Sequence, residues 1–124
     1  MVATDISEAA LEVARGNAER LRIGNVEFRQ GDWYAGLGDE RFDVIVSNPP
    51  YIAEGDPHLR EGDLRFEPTV ALASGADGLD AIRVIARDAR PHLRNGGWLL
   101  LEHAFEQGAD VRDLLFDHGY AEVF

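Results

Sequence analysis

An apolar run that halts against two prolines narrows the folds open to this chain more than any other feature. Val44, Ile45 and Val46 follow one another without a polar interruption inside residues 42–47, and Asn48-Pro49-Pro50-Tyr51 comes directly after them. Such a run suits a strand buried in a parallel sheet, where both faces are covered and alternation is lost. The rest of the chain alternates strand and helix around it. Residues 2–6 read as a first strand ending at Asp5, and Ser7 stands where a helix N-cap belongs, with Glu8 and Glu12 near the positive helix end. Leu11, Ala14, Ala18 and Leu21 recur at helical spacing, and Gly24 is expected to close that helix. Val26 and Phe28 alternate with polar residues as a second strand, followed by the loop Gly31-Asp32-Trp33.

Further along, the spacing predicts a helix over 79–90, with Ile82, Ile85, Ala86 and Ala89 on one side and Pro91 as its stop. Asn95-Gly96-Gly97 reads as a turn, residues 98–102 as a fourth strand, and 107–118 as a last helix capped by Gly119. Residues 121–124 read as the start of another strand. Strands that alternate with helices imply parallel βαβ units of the α/β class. Ligands of such sheets collect at the carboxyl ends of the strands. Asp5, Asp32-Trp33, Asn48 to Tyr51 and Glu102-His103 all fall at or just after strand ends, so they are expected to face one rim. Residues 52–78 carry two prolines and read as a long ordered loop, a kind that is usually functional in a compact domain.

The residues at that rim suggest particular chemistry. A primary amide is a poor nucleophile because its nitrogen lone pair is delocalised into the carbonyl. Methylating such a nitrogen calls for hydrogen-bond acceptors aimed at its N–H bonds. Asn48 offers a side-chain carbonyl and Pro49 a main-chain carbonyl with no competing N–H. Two successive prolines restrict the backbone, so these acceptors are positioned before a substrate arrives. Tyr51 adds a flat apolar face and a hydroxyl at its edge. A carboxylate at Asp5 suits the two hydroxyls of a ribose, and equally suits a helix-initiating turn before Ser7. Asp32 and Trp33 suit an adenine, although Trp33 alone also fits a core aromatic.

Composition excludes several alternatives. There is no cysteine, which removes disulfides, cysteine-based zinc sites and thiol nucleophiles. His58, His92, His103 and His118 share no metal-ligand spacing, so no metal site is expected. No apolar run approaches the roughly 20 residues that span a bilayer, and no signal-peptide pattern opens the chain. No membrane association is expected, and the cytoplasm is the expected location. The net charge is −11, from 23 acids and 12 bases, and every base is arginine. A surface so acidic repels a phosphate backbone, which argues against a nucleic-acid partner. Arg15, Arg20, Arg22 and Arg29 lie close in sequence and read as a solvated helix face rather than a binding patch.

Several stretches resemble one family. Ala3-Thr4-Asp5-Ile6-Ser7, Gly31-Asp32-Trp33 and Asp43 through Ile52 are similar to the protein-(glutamine-N5) methyltransferases that modify peptide chain release factors. So are Glu67-Pro68 with Ala71-Leu72, Gly78-Leu79-Asp80, and Leu100 to His103 with Gln107-Gly108. The Asn-Pro-Pro-Tyr sequence is shared with adenine-N6 methyltransferases; Ile52 and Glu67-Pro68 narrow it. The resemblance implies a Rossmann-like, S-adenosylmethionine-dependent methyltransferase fold over residues 1–124. In it Asp5, Asp32, Trp33 and Asn48 bind the cofactor, and Asn48, Pro49, Pro50 and Tyr51 hold the glutamine, with Asn48 and Pro49 as the catalytic pair. It further implies a release factor as protein substrate and a monomer in the full-length form. The alternatives are an adenine-N6 nucleic-acid methyltransferase or an inactive fragment without cofactor.

Ala104 stands where the resembled family usually has glycine. That family's Asp-x-Gly-x-Gly cofactor loop would precede Asp5 by about twenty residues, whereas Met1 lies four residues before it. The expectation is therefore a partial catalytic domain, lacking the first strand and the last strands, with a gap in mid-sheet. Residues 1–124 are accordingly expected to bind S-adenosylmethionine weakly or not at all, and micromolar binding by titration calorimetry would overturn this.

Overall fold

The structure, a computed structural model, describes the backbone of residues 1–124 and every side chain except that of Arg60. The chain divides into two compact units, residues 1–40 and residues 41–124.

The first unit is one parallel βαβ crossover. β1 (Val2–Asp5) and β2 (Glu27–Gln30) pair in parallel from Val2 opposite Glu27 to Asp5 opposite Gln30, joined by α1 (Glu8–Arg20). The predicted cap forms: the Ser7 hydroxyl accepts from the Ala10 N–H at 3.2 Å. Leu11 is buried and Ala14 and Ala18 are half-buried, but Leu21 lies past the last turn and is exposed. Arg22, not Gly24, terminates the helix. Arg22 takes φ 58°, its N–H donates to the Glu19 carbonyl at 3.0 Å, and the Ile23 N–H donates to the Ala18 carbonyl at 2.8 Å. This pair of bonds is the Schellman closure, which requires a left-handed residue just past the cap. The bonds close two residues before the glycine, so an arginine carries the strain. The four arginines do not form one helix face: Arg15 and Arg20 lie on α1, Arg22 just past it, and Arg29 is half-buried on β2 between Glu27 and Glu40, while Arg15 pairs with Glu8 at 2.6 Å.

The second unit carries β3 (Phe42–Ser47), α2 (Asp80–Ala89), β4 (Leu93–Leu101) and α3 (Gly108–Asp117). β3 and β4 are parallel, with Val44 opposite Trp98 and Ser47 opposite Leu101. The strands of the chain thus form two separate parallel pairs, β1–β2 and β3–β4, with the break between the Asp5 strand and the Asn48 strand where the sequence suggests a gap. α2 has the predicted face: Ile82, Ile85, Ala86 and Ala89 are all essentially inaccessible. Each isoleucine contributes on the order of 2–3 kcal/mol of transfer free energy. Leu79, Ile82 and Val111 make the core, with Tyr51, Leu101, Leu114 and Leu115 packed around it. Pro91 falls in a single 3₁₀ turn directly after α2, and Gly119 closes α3 with φ 77°.

Three expectations fail here. Ile45 is half-buried while Val44 and Val46 are exposed, so β3 is covered on one face, because successive side chains point to opposite sides. Asn95-Gly96-Gly97 lies inside β4, where the register jumps between the Phe42–Leu93 and Val44–Trp98 pairs. The extra β4 residues bulge, with Gly96 at φ 78°. Residues 121–124 form no strand, and Glu122 turns the backbone at φ 55°. Among the described residues, no helix is long and apolar enough to cross a membrane.

Replacing Arg22 by glycine removes the left-handed penalty and keeps both closing bonds. Arg22→Gly should raise stability by about 0.5–1 kcal/mol in denaturant unfolding followed by circular dichroism; a loss of stability would contradict the assignment of Arg22 as the helix terminator.

Candidate functional site

In the first unit the carboxyl ends of β1 and β2 form a small polar rim. The Gly31 N–H donates to the Asp5 carbonyl at 3.1 Å and the Gln30 side chain donates to the Ile6 carbonyl at 3.1 Å, which ties the two strand ends together. Asp5, Asp32 and Trp33 come to this rim as the sequence predicts. Asp5 does make the helix-initiating turn, its Oδ1 accepting from the Ser7 N–H at 2.7 Å. One such bond uses a single lone pair of a carboxylate that offers about four, so the same group retains capacity for a diol. Asp32 is exposed and Trp33 is half-buried, with φ 50°. A carboxylate with accepting capacity at the end of β1, with a second carboxylate and an indole in the loop after β2, is chemistry suited to a nucleoside.

In the second unit β3 delivers Asn48 to its carboxyl end, where the Glu102 N–H donates to the Ser47 carbonyl at 3.0 Å. Asn48 is exposed, Pro49 buried and Pro50 half-buried. Burial of one proline and the fixed φ of both hold the loop in one path. A shallow cleft opens here, lined by Val46, Ser47, Asn48, Leu100, Leu101 and Glu102. Tyr51 is half-buried against the Leu79–Ile82–Val111 core. Its hydroxyl donates to Glu102 Oε1 at 3.0 Å. That bond to the carboxylate, with burial and the negative charge adding to it, raises the phenol above its ordinary range.

Beyond Tyr51 the long loop is ordered, with three 3₁₀ turns at Pro57–Arg60, Leu64–Phe66 and Thr69–Ala71. It returns to its own start through a parallel bridge between Ile52 and Ala73. Ser74, itself buried, accepts from the Ala81 N–H at 2.7 Å and so caps the entry into α2. Asp77 accepts from Arg83 at 2.6 Å and from the Leu79 N–H at 3.1 Å. The guanidinium, then the N–H, hold its carboxyl down at about 2.

The sequence marks Gln107 as the start of a helix and, with Gly108, as part of the family resemblance, but assigns it no contact; it is central here. Its Nε2 donates to the Tyr51 carbonyl at 2.9 Å and to the Asp77 carbonyl at 3.2 Å, and its Oε1 accepts from the Ala104 N–H at 3.0 Å. Gly78 makes this approach possible. It is buried at φ 78°, and a Cβ there would strike the Tyr51 carbonyl oxygen and come within 2.7 Å of Gln107 Nε2. The only sequence signal for this contact was the glycine itself, since the partners lie 56 positions apart. His103, beside Glu102, makes a 2.8 Å contact from Nδ1 to the Ala104 carbonyl.

Residues 1–96 match a protein family described as "Methyltransferase domain". Over 123 residues the chain is 58% identical to the release factor glutamine methyltransferase of Xylella fastidiosa (strain Temecula1). It is 53% identical over 123 residues to the protein of the same name from Neisseria gonorrhoeae and 52% identical over 123 residues to that from Pseudomonas aeruginosa. These alignments take in 98–99% of this chain but 45% of each relative. The chain spans about half the length of the curated relatives it matches.

Gly55 and Gly78 both have positive φ, but only Gly78 has neighbours where a Cβ would go. Gly78→Ala should therefore cost about 2–4 kcal/mol in unfolding free energy, and Gly55→Ala about 1 kcal/mol. Equal losses would mean that the close approach of Tyr51 and Gln107 is not needed.

Proposed function

The chain belongs to the methyltransferase-domain family, and from that premise we propose that it is the catalytic part of an enzyme that methylates the side-chain amide nitrogen of a glutamine in peptide chain release factors. The observation that carries this reading is the Asn48-Pro49-Pro50-Tyr51 loop, rigid, opening on a cleft, with Asn48 exposed at the end of β3. The names of the relatives support the choice of release factor as substrate. The net charge of −11 supports a protein over a nucleic acid.

The methyl donor in this reading is S-adenosylmethionine. The donor set of the first unit suits its nucleoside: Asp5 for the ribose hydroxyls, Asp32 and Trp33 for the adenine. When bound, it supplies an electrophilic methyl group on a sulfonium. The protein's own work is to present the amide. The Asn48 Oδ1 and the Pro49 carbonyl accept the two N–H bonds of the glutamine, which orients the nitrogen lone pair and spreads the positive charge that grows there. As the N–CH3 bond forms and the methyl–sulfur bond breaks, a neutral thioether would leave. One proton would depart along an N–H bond that points at an acceptor oxygen and pass from there to water. Pro50 keeps the loop from relaxing away, and the accessible part of the Tyr51 ring lies along the substrate's methylenes. Prepositioned acceptors matter because misplacement by about 1 Å costs on the order of 10²-fold in rate. The full-length protein works as a monomer in the cytoplasm, without direct contact to nucleic acid or membrane.

The test is to incubate the full-length protein and labelled S-adenosylmethionine with a release factor or with DNA. Label should enter a glutamine of the release factor, and Asn48→Ala should lower kcat by about 10²–10³-fold, as loss of one oriented polar group typically does. Label entering DNA alone would defeat the proposal.

A further inference from the structure

We propose that Glu102 and Gln107, both supplied by the connection between β4 and α3, are positioning residues that hold Tyr51 at its two ends and so set the geometry of the substrate loop. This rests on the reading of Asn48 to Tyr51 as the amide-holding loop. Glu102 Oε1 takes the phenol hydroxyl at 3.0 Å, and Gln107 Nε2 takes the main-chain carbonyl of the same residue at 2.9 Å. Neither contact is local in sequence, at 51 and 56 positions.

The two contacts do different things. A tyrosine ring packed on a core keeps its plane but slides and rotates about χ1 if its tip is unheld. The carboxylate holds the tip. The carbonyl of residue 51 sits immediately after the Pro49-Pro50 pair, so its orientation sets how the prolines, and Asn48 before them, leave β3. Gln107 holds that carbonyl from a side chain whose own oxygen is anchored on the Ala104 N–H at 3.0 Å. With both ends of its amide engaged, Gln107 has one orientation, and the loop inherits it. Gly78 leaves room for the contact, since a Cβ there would displace both the Tyr51 carbonyl and Gln107.

Tyrosine titration in the 124-residue chain, read by NMR with labelled ring carbons, tests the clamp. Tyr51 should ionise above the ordinary phenol range in the wild type. In Glu102→Gln its titration should move down, because the carboxylate that favours the neutral phenol is gone. In Gln107→Leu it should also move down although Glu102 is intact, because the ring is no longer held against it. Tyr120, whose hydroxyl donates to the Ala86 carbonyl, should be unmoved and reports that the core is intact. An unchanged Tyr51 titration in Gln107→Leu overturns the clamp.

In the full-length enzyme, Gln107→Leu should lower kcat about tenfold to a hundredfold, with KM for S-adenosylmethionine held within about twofold. Gln107→Glu should regain rate relative to wild type as the pH falls, since a protonated carboxyl can again donate to the Tyr51 carbonyl. Full kcat in a folded Gln107→Leu protein overturns the positioning role. A wild-type protein that fails to label a release factor overturns the substrate reading and the kinetic role with it, and the tyrosine titration then decides the clamp alone.

Discussion

The carbonyl oxygen of Tyr51 is the point on which the second unit's site depends. Three stretches meet at it: the loop leaving β3, the Asp77-Gly78 corner before α2, and the turn from which α3 starts, through Gln107. Leaving such a carbonyl unpaired in a partly buried place costs about 1–3 kcal/mol, comparable to burying one isoleucine. A single side-chain amide therefore does as much here as a core residue does for α2. It does so directionally, which apolar burial cannot. The Leu79–Ile82–Val111 core fixes where the elements lie; the Gln107 amide fixes how the backbone between them turns.

The first unit solves a different problem with an equally small set of groups. Asp5 serves as the end of a strand, the lead-in to a helix and one of the two carboxylates of a rim. Its bond to the Ser7 N–H at 2.7 Å engages Oδ1 alone among the contacts described, so the proposed ribose role needs no bond to be broken. It orients the carboxylate, lowering the entropy lost when a second partner arrives.

How far these features were legible in the sequence depends on the range of the interaction behind each. α2 was fully legible because a 3.6-residue period is a local signal, and Ile82, Ile85, Ala86 and Ala89 all proved buried. The Ser7 cap and the Gly119 closure involve bonds within a few residues and were legible for the same reason. The end of α1 was misplaced because glycine preference is a weaker guide than the position at which the Schellman bonds close, and those closed on Arg22. Asn95-Gly96-Gly97 has turn composition, yet pairing with β3 on both sides of it overrides that composition and leaves a bulge. Asp5, Asp32, Trp33 and the Asn48–Tyr51 loop were legible because strand ends are where such folds expose polar groups. Gln107 was not, since no local pattern marks an amide whose partners are 56 and 30 positions away.

On the proposed reading, presenting a weakly nucleophilic amide favours proline and glutamine in a loop over more apolar surface. Delocalisation of the amide lone pair is overcome only if both N–H bonds find acceptors at fixed places, and a loop that moved to meet the substrate would lose that advantage as reorganisation energy. Pro49 and Pro50 remove backbone freedom in φ but leave the ψ of Pro50 and the orientation of residue 51 unset. The Gln107 contact supplies that missing restraint, and Glu102 extends it to the ring. The order of restraint along the chain is proline, proline, clamped tyrosine, then the Ile52–Ala73 bridge, and it begins directly after Asn48, an exposed residue that lines the cleft.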